Sequence, residues 1–219
     1  MISVMIEEFR EWKSRFALRS FLILVLPVGG TLLAFKMHFV FFFFAITLFY
    51  VWLGWQDGSQ KWNEIKFVRV RNTKKIELSQ WFGGKHLGFL AVSLAHAVLL
   101  SPMVFLIIVL WGIPTSQCLC LIGIGIAGGS MVLSLFVLTQ WINTVFGTLL
   151  SVSAILVWLL SGYFLPSLAP INPMMLILNL CDTGDMRPAL FFMVYCLSFQ
   201  IVLLAVMRLT SSKTKRDVR

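Results

Sequence analysis

Apolar residues in this chain form long continuous runs, and the charged residues lie in the gaps between them. A helix needs about 20 apolar residues to cross the hydrocarbon core of a bilayer. The pattern therefore predicts an all-α integral membrane protein with six transmembrane helices. The predicted spans are residues 16–35, 38–55, 87–111, 118–139, 145–165 and 189–207.

Composition agrees with this interpretation, since 59% of the residues are hydrophobic and only 12% are charged. A soluble domain needs more charge on its surface, so we expect residues 1–219 to form one transmembrane domain. The four cysteines form no CxxC pair, and the sequence contains neither an HExxH motif nor a cluster of paired carboxylates. We therefore expect no catalytic centre, metal site or cofactor in this chain.

The basic residues predict the orientation in the membrane. If there are six spans, all but Lys36 and Arg187 of the 18 lysines and arginines fall on one side. The positive-inside rule then places both termini in the cytoplasm of a cell with the chain in its plasma or inner membrane. This topology also accounts for the net charge of +9 without a nucleic-acid partner.

Two segments outside the spans are amphipathic. Met5, Phe9, Trp12 and Phe16 recur at helical spacing, which predicts a helix lying in the membrane interface before the first span. The predicted cytoplasmic connection, residues 56–86, mixes basic and apolar residues. It suits either an interfacial helix on anionic headgroups or a docking surface for a cytoplasmic partner, and the residues alone do not choose between them.

The predicted external connection between spans 5 and 6 contains Pro166, Pro170 and Pro173, followed by the apolar stretch 174–180. Seven residues are too few to cross a bilayer. We therefore predict a re-entrant element there, supported by neighbouring helices.

Polar residues inside the spans suggest two kinds of role. His96 lies in the middle of the third span, near Ser101. An ionisable residue at that depth is either part of a functional site or a neutral side chain bonded to a neighbouring helix. Gln200 in the last span is expected to link helices.

Small residues and thiols leave further alternatives. Gly125 and Gly129 form a GxxxG pair, which predicts close helix packing in the bundle or at a dimer seam. Cys118 or Cys120 could pair with Cys181 in an external disulfide, or the three could be small apolar filler.

The order of these features resembles the ABC-2 type permeases, which are the membrane subunits of many ABC exporters. Residues 56–59 (Gln-Asp-Gly-Ser) are similar to the start of that family's cytoplasmic loop, and residues 84–85 (Gly-Lys) are similar to the opening of its third span. Residues 161–166 with 172–173 resemble its extracellular signature. Residues 56–59, Lys85, residues 101–102 and residues 147–151 also resemble the haem-exporter permease B subfamily, although the insert between Gly58 and Lys85 and the segment after Pro166 fit it poorly.

The resemblance implies a dimer of permeases in the lipid bilayer, coupled to a separate ATPase subunit that holds ATP and magnesium. The docking surface that it implies consists of Ile65, Phe67, Arg69, Arg71, Lys74, Lys75 and Ile76. The pathway or gate residues that it implies are His96, Ser101, Tyr163, Phe164, Pro166, Asn172 and Pro173. The chain itself is then a transport permease and not an enzyme.

Two other classes of function remain open at this stage. One is a membrane-embedded enzyme that modifies lipids, which would need more ionisable residues around His96. The other is a scaffold or immunity subunit that does not transport. The sequence does not identify the substrate, because generic apolar residues do not discriminate among hydrophobic cargos.

Overall fold

A computed structural model describes residues 5–6, 39–71, 78–142 and 147–216 of the chain. From residue 39 onward the described residues form six α-helices and one 3₁₀ helix, and no strand occurs among them. The helices are α1 (Val40–Arg71), α2 (Leu78–Trp111), α3 (Thr115–Ile142), α4 (Gly147–Phe164), α5 (Pro173–Thr183) and α6 (Arg187–Arg216), with the 3₁₀ helix (Pro166–Ile171) between α4 and α5.

The long helices form a bundle in which neighbours in the chain alternate in direction. Side-chain contacts show that α1, α3 and α6 run parallel to one another and antiparallel to α2 and α4. The contacts that establish these directions join Thr47 with Gly125, Gly54 with Gly129, Phe39 with Trp111, Phe49 with His96, Gly128 with Trp158, Phe136 with Ile155, Gly123 with Met193 and Ser130 with Gln200.

Helix α3 lies at the centre of the bundle, because it contacts each of the other five helices. In its most apolar part 72% of the residues are buried within the chain, against 33% for α2 and 22% for α6. The outer faces of α2 and α6 are covered with exposed leucine, valine and phenylalanine. This distribution is typical of helices that meet lipid or another apolar surface.

Three helical stretches in the described part are long and apolar enough to cross a membrane: Phe82–Trp111, Thr115–Leu138 and Arg187–Leu209. A shorter apolar stretch, Val40–Gln56, coincides with the predicted second span. The all-helical prediction is confirmed for the described residues, and three of the predicted spans, the third, fourth and sixth, coincide with helices that could cross a membrane. The predicted first span, and the amphipathic helix before it apart from Met5 and Ile6, lie outside the described residues.

Much of the predicted connection over residues 56–86 is helical. Helix α1 continues through the charged residues to Arg71, and α2 begins at Leu78. Lys85 and His86, which directly precede the predicted third span, lie inside α2 and are 1% and 7% exposed. Charge in the sequence suggested a loop, whereas these two side chains are covered by neighbouring helices.

The GxxxG pair on α3 forms a close contact within this chain. A Cβ atom added to Gly54 would overlap the carbonyl oxygen of Gly129, and one added to Gly129 would overlap the carbonyl oxygen of Tyr50. At Gly125 an added Cβ would lie 3.0 Å from the Tyr50 ring. Of the two interpretations of the motif, the structure supports packing within the bundle, between α1 and α3.

Candidate functional site

The connection from α4 to α6 is broken into short elements, and Asn172 joins them. Its side-chain oxygen accepts hydrogen bonds from the backbone N–H groups of Met174 and Met175 at 3.0 and 3.1 Å, so it caps the N-terminus of α5. Its side-chain nitrogen donates to the carbonyl oxygens of Trp158 and Leu159 on α4, at 2.7 and 2.9 Å. One fully buried amide thus uses all its hydrogen-bonding groups to fix α5 against α4.

Further contacts hold both ends of α5. At its start, the Trp158 indole N–H donates to the Ile171 carbonyl at 2.7 Å, and Pro173 occupies the first turn, where no N–H is needed. At its end, Gly184 adopts a left-handed conformation and donates to the Leu180 carbonyl, which also accepts from the Gln117 side chain at 2.8 Å. Helix α5 is too short to cross a bilayer and packs its apolar face on α1 and α3.

The predicted gate residues therefore fall into separate environments. Asn172 and Pro173 are buried at the joint, whereas Phe164 at the end of α4 is 78% exposed. Tyr163 and Pro166 lie on either side of the break between α4 and the 3₁₀ helix, and their side chains are outside the described set. The structure gives Asn172 a capping role that the sequence interpretation did not include, and its assignment to a gate stays a prediction.

His96 belongs to a buried polar layer in the middle of the bundle, between α1 and α2. Its ring is fully buried and meets Phe49 edge-on, with ring centroids 5.2 Å apart. The Tyr50 hydroxyl donates to the Ser93 carbonyl at 3.1 Å. The buried hydroxyls of Thr47 and Ser93 find no hydrogen-bond partner within the described part of the chain.

Ser101, the other predicted pathway residue on α2, lies on the outer surface of that helix. Its hydroxyl donates to the Val98 carbonyl of its own helix at 2.7 Å. Such a bond satisfies the hydroxyl locally, and the structure does not bring Ser101 together with His96 or with the α4–α5 joint.

A second polar layer, closer to the basic end of the bundle, connects three helices. His86 on α2 lies 2.8 Å from the Ser134 hydroxyl on α3, and Ser134 donates to the Ser130 carbonyl at 3.0 Å. The Gln200 side chain on α6 donates to the Ser130 hydroxyl at 2.5 Å. The expectation that Gln200 links helices is confirmed.

The geometry of His86 allows two hydrogen-bond arrangements. The Phe82 carbonyl, 3.0 Å from Nδ1, can only accept, so Nδ1 carries a hydrogen. The neutral ring then accepts from Ser134 at Nε2. If Nε2 is protonated, it donates to Ser134, whose single hydrogen goes to the Ser130 carbonyl. Both arrangements satisfy the donors of His86 and Ser134.

The pair of His86 and Ser134 is an interhelical link rather than a nucleophile and its base. Ser134 is fully buried, which leaves no room beside its oxygen for a substrate carbonyl in this arrangement. Sequence analysis missed His86, Ser130 and Ser134 as a group. The spacing of the two serines, four residues apart on one helix face, was the available signal.

Lys85 lies next to this layer and is also buried. An ionisable residue within a membrane helix is costly to bury and is often functional. The family resemblance drew attention to Lys85, but as the start of a span rather than as an interior residue.

The predicted docking residues occupy the end of α1 and the segment after it. Ile65, Phe67, Arg69 and Arg71 lie on the helical continuation of α1 beyond its apolar stretch, and their side chains are outside the described set. Lys74, Lys75 and Ile76 lie outside the described residues.

The cysteines are all free thiols, so neither predicted disulfide alternative is formed. Cys118 and Cys196 are buried, and Cys120 and Cys181 are half-buried. Burial, helped by the Asp182 carboxylate and by Cys118, raises the pKa of the Cys181 thiol to about 12.

The hydrogen bond between α2 and α3 can be tested by a double-mutant cycle of His86→Ala and Ser134→Ala. We expect the two changes to be coupled by about 1 kcal/mol in unfolding free energy, which is typical of interhelical hydrogen bonds in membranes. Unfolding in detergent is the measurement. The control cycle pairs His86→Ala with Ser101→Ala, which should show no coupling, and equal coupling in both cycles would contradict the link.

No protein-family model matches the chain, and searches of curated proteins and of solved structures likewise find no match.

Proposed function

We propose that this chain is the permease subunit of an ATP-driven exporter of the ABC-2 type. It crosses the membrane six times with both termini in the cytoplasm, and it works as a dimer with a separate ATPase subunit. The proposal takes its family from the sequence resemblance and its mechanical basis from the helices described above.

The observation that carries the proposal is the continuity of α1. This single helix of 32 residues contacts α5 and continues to Arg71, without a break where its apolar stretch ends at Gln56. At 1.5 Å per residue it is about 48 Å long, which exceeds the hydrocarbon thickness of a bilayer of about 30 Å. A rigid element of this length can transmit a displacement from one side of the membrane to the other.

The arm of α1, residues 57–71, contains Lys61, Lys66, Arg69 and Arg71 together with apolar residues. A basic helical arm outside the membrane suits docking to an acidic groove on a soluble partner. Of the two interpretations of residues 56–86, an interfacial helix or a docking surface, this favours docking to the ATPase subunit.

At the other end, α5 covers the bundle between α1, α3 and α4. Its buried face (Pro173, Met174, Leu176, Ile177 and Leu180) packs on these helices, and its last turn leads into the exposed Asp182 and Asp185. Movement of α1 against α3 on ATP binding would shift the support of α5. The external end of the pathway would then open by a rigid-body displacement of a short helix.

Isolation of the tagged chain in mild detergent, with mass spectrometry of bound proteins, tests the proposal directly. We expect a stoichiometric soluble subunit with a Walker A phosphate-binding loop. Recovery of the chain as an intact oligomer without such a subunit would refute the proposal.

The charge-reversing double substitution Lys74→Glu with Lys75→Glu should weaken that association. Two reversed charges in a basic docking segment replace attraction by repulsion, and we expect at least about a tenfold loss of ATPase recovered per chain. The matched control is Lys213→Glu with Lys215→Glu in the C-terminal tail. It changes the net charge equally and should leave recovery unchanged, so an equal loss in both variants would count against a docking role for residues 74–75.

A further inference from the structure

Two cysteines on different helices lie beside the hydrogen bond that joins the end of α5 to the start of α3. Cys118 lies in the first turn of α3, and Cys181 lies in the last turn of α5. The residues directly before them, Gln117 and Leu180, are joined by a hydrogen bond of 2.8 Å. The Cys118 thiol also helps to raise the pKa of the Cys181 thiol, which agrees with the placement that this hydrogen bond gives the two residues.

We propose that Cys118 and Cys181 form a redox-active dithiol, which closes to a disulfide and fastens α5 covalently to α3. The other two cysteines are placed differently. Cys120 lies two residues further along α3, about 200° around the helix axis from Cys118. Cys196 is buried within α6.

The oxidation proceeds by exchange with a small disulfide as the oxidant. The half-buried Cys181 is the accessible thiol, so its thiolate attacks one sulfur of the oxidant and releases the other as a thiolate. The fully buried Cys118 then attacks the Cys181 sulfur of the mixed disulfide and releases the second half of the oxidant. The two protons lost by the cysteines end on the two released thiols, and the oxidant is reduced by two electrons.

The protein environment makes the first attack slow. A thiol whose pKa is raised by burial and by a neighbouring carboxylate is almost entirely protonated near neutral pH. Air alone would therefore oxidise the pair poorly, and closure depends on contact with a disulfide reagent or an oxidoreductase.

Closure would change how α5 is held. In the dithiol form, a side-chain hydrogen bond from Gln117 joins the end of α5 to α3. In the disulfide form, the same end is joined by a covalent bond and cannot swing away from α3. The proposal of a redox-active thiol pair does not depend on the proposed function. The further consequence, that oxidation locks an external gate, rests on the proposed function. On the proposed orientation this end faces the oxidising side of the membrane.

The test uses the full-length chain in lipid nanodiscs, incubated with oxidised glutathione and then denatured, alkylated and mapped by peptide mass spectrometry. We expect Cys118 and Cys181 to be recovered as one disulfide-linked peptide pair, with Cys120 and Cys196 alkylated. Recovery of four alkylated thiols, or of a pair that includes Cys120 or Cys196, would overturn the proposal.

Two variants test the order of attack. In Cys118→Ser the resolving thiol is missing, so Cys181 should accumulate a stable glutathione adduct. In Cys181→Ser, Cys118 should remain unmodified. Cys120→Ser is the matched control on the same helix and should form the disulfide as the natural chain does. The mapping of the natural chain decides the matter even if a variant fails to fold.

Discussion

Replacing Gly129 by alanine is expected to destabilise the bundle by about 3 kcal/mol, at the upper end of the usual cost of overpacking. The added Cβ would overlap the Tyr50 carbonyl oxygen and would lie 2.7 Å from Cζ of Phe89. Backbone atoms of α1 cannot rotate away as a side chain can. Relief therefore requires α1 and α3 to separate along the contact that also contains Gly54.

Gly128→Ala provides the matched control, because it makes the same chemical change one residue earlier on the same helix. The nearest atoms to its added Cβ are Cβ and Cγ of Pro173, at 3.8 and 3.9 Å, which is ordinary van der Waals contact. Thermal unfolding in detergent, followed by loss of the monodisperse peak in size-exclusion chromatography, measures both variants. Alanine raises the helix propensity at both positions, so a similar loss of stability in both variants would show that any added volume on α3 is harmful, and not that the α1–α3 contact determines the effect.

The consequences of Gly129→Ala should extend to function if α1 transmits movement from the arm to α5. Separation of α1 from α3 would break the mechanical connection between residues 57–71 of α1 and α5 before the chain unfolds. Partial loss of stability should therefore accompany a larger loss of substrate-stimulated ATP hydrolysis by the assembled complex. Gly128→Ala should keep both.

The helices of this fold were largely predictable, because continuous apolar runs have few alternatives to membrane helices. The GxxxG motif also predicted a close contact on α3. Its partner was not predicted: Gly54, which forms a second GxxxG spacing with Gly58, lies 75 residues earlier in the chain, and the spacing alone does not show that the two segments meet. The choice between a contact within the bundle and a dimer seam required the three-dimensional arrangement.

The boundaries of α1 and α2 were less predictable for an electrostatic reason. Lys85 and His86 are polar, and hydropathy alone places polar residues outside the membrane. In the bundle His86 finds the Phe82 carbonyl and the Ser134 hydroxyl, which satisfy it in the interior. Whether such a polar side chain ends a span or lies inside it depends in part on a partner that is distant in sequence, here Ser134.

The sequence contained a signal for the role of Asn172 as the N-cap of α5, but this signal was assigned to another feature. Asparagine followed by proline is a typical start of a helix, with Asn at the cap and Pro in the first turn. The sequence interpretation assigned both residues to an extracellular signature. The cap could have been predicted from this pair of residues, whereas the two hydrogen bonds to α4 could not, because they depend on the fold of the 3₁₀ helix.

Asn172→Ala should therefore be among the most damaging single substitutions outside the glycine contact. It leaves two N–H groups at the start of α5 without their side-chain acceptor, those of Met174 and Met175, and it removes both hydrogen bonds to α4. A lost cap costs about 1 kcal/mol, and each lost hydrogen bond costs about as much. We expect a total loss of about 3 kcal/mol in unfolding free energy.

Asn179→Ala is the matched control, since it removes the same kind of side chain from the same helix at an exposed position. Its effect should be within about 0.5 kcal/mol of zero. Equal destabilisation by both variants would mean that the sensitivity belongs to α5 as a whole, and not to the joint with α4.

Asn172→Asp separates the two functions of the amide. A carboxylate can still accept from the first N–H groups of α5, and a negative charge is favourable at a helix N-terminus. It cannot donate to the Trp158 and Leu159 carbonyls, and it would place a charge about 3 Å from both oxygens. Hydrogen exchange should then show the start of α5 protected as in the natural chain, while α5 as a unit opens from α4 more often. If instead Asn172→Asp leaves both stability and opening unchanged, the hydrogen bonds to α4 contribute nothing, and the cap alone explains the need for asparagine. An intermediate stability with faster opening of α5 would establish that the hydrogen bonds of this residue hold α5 against α4.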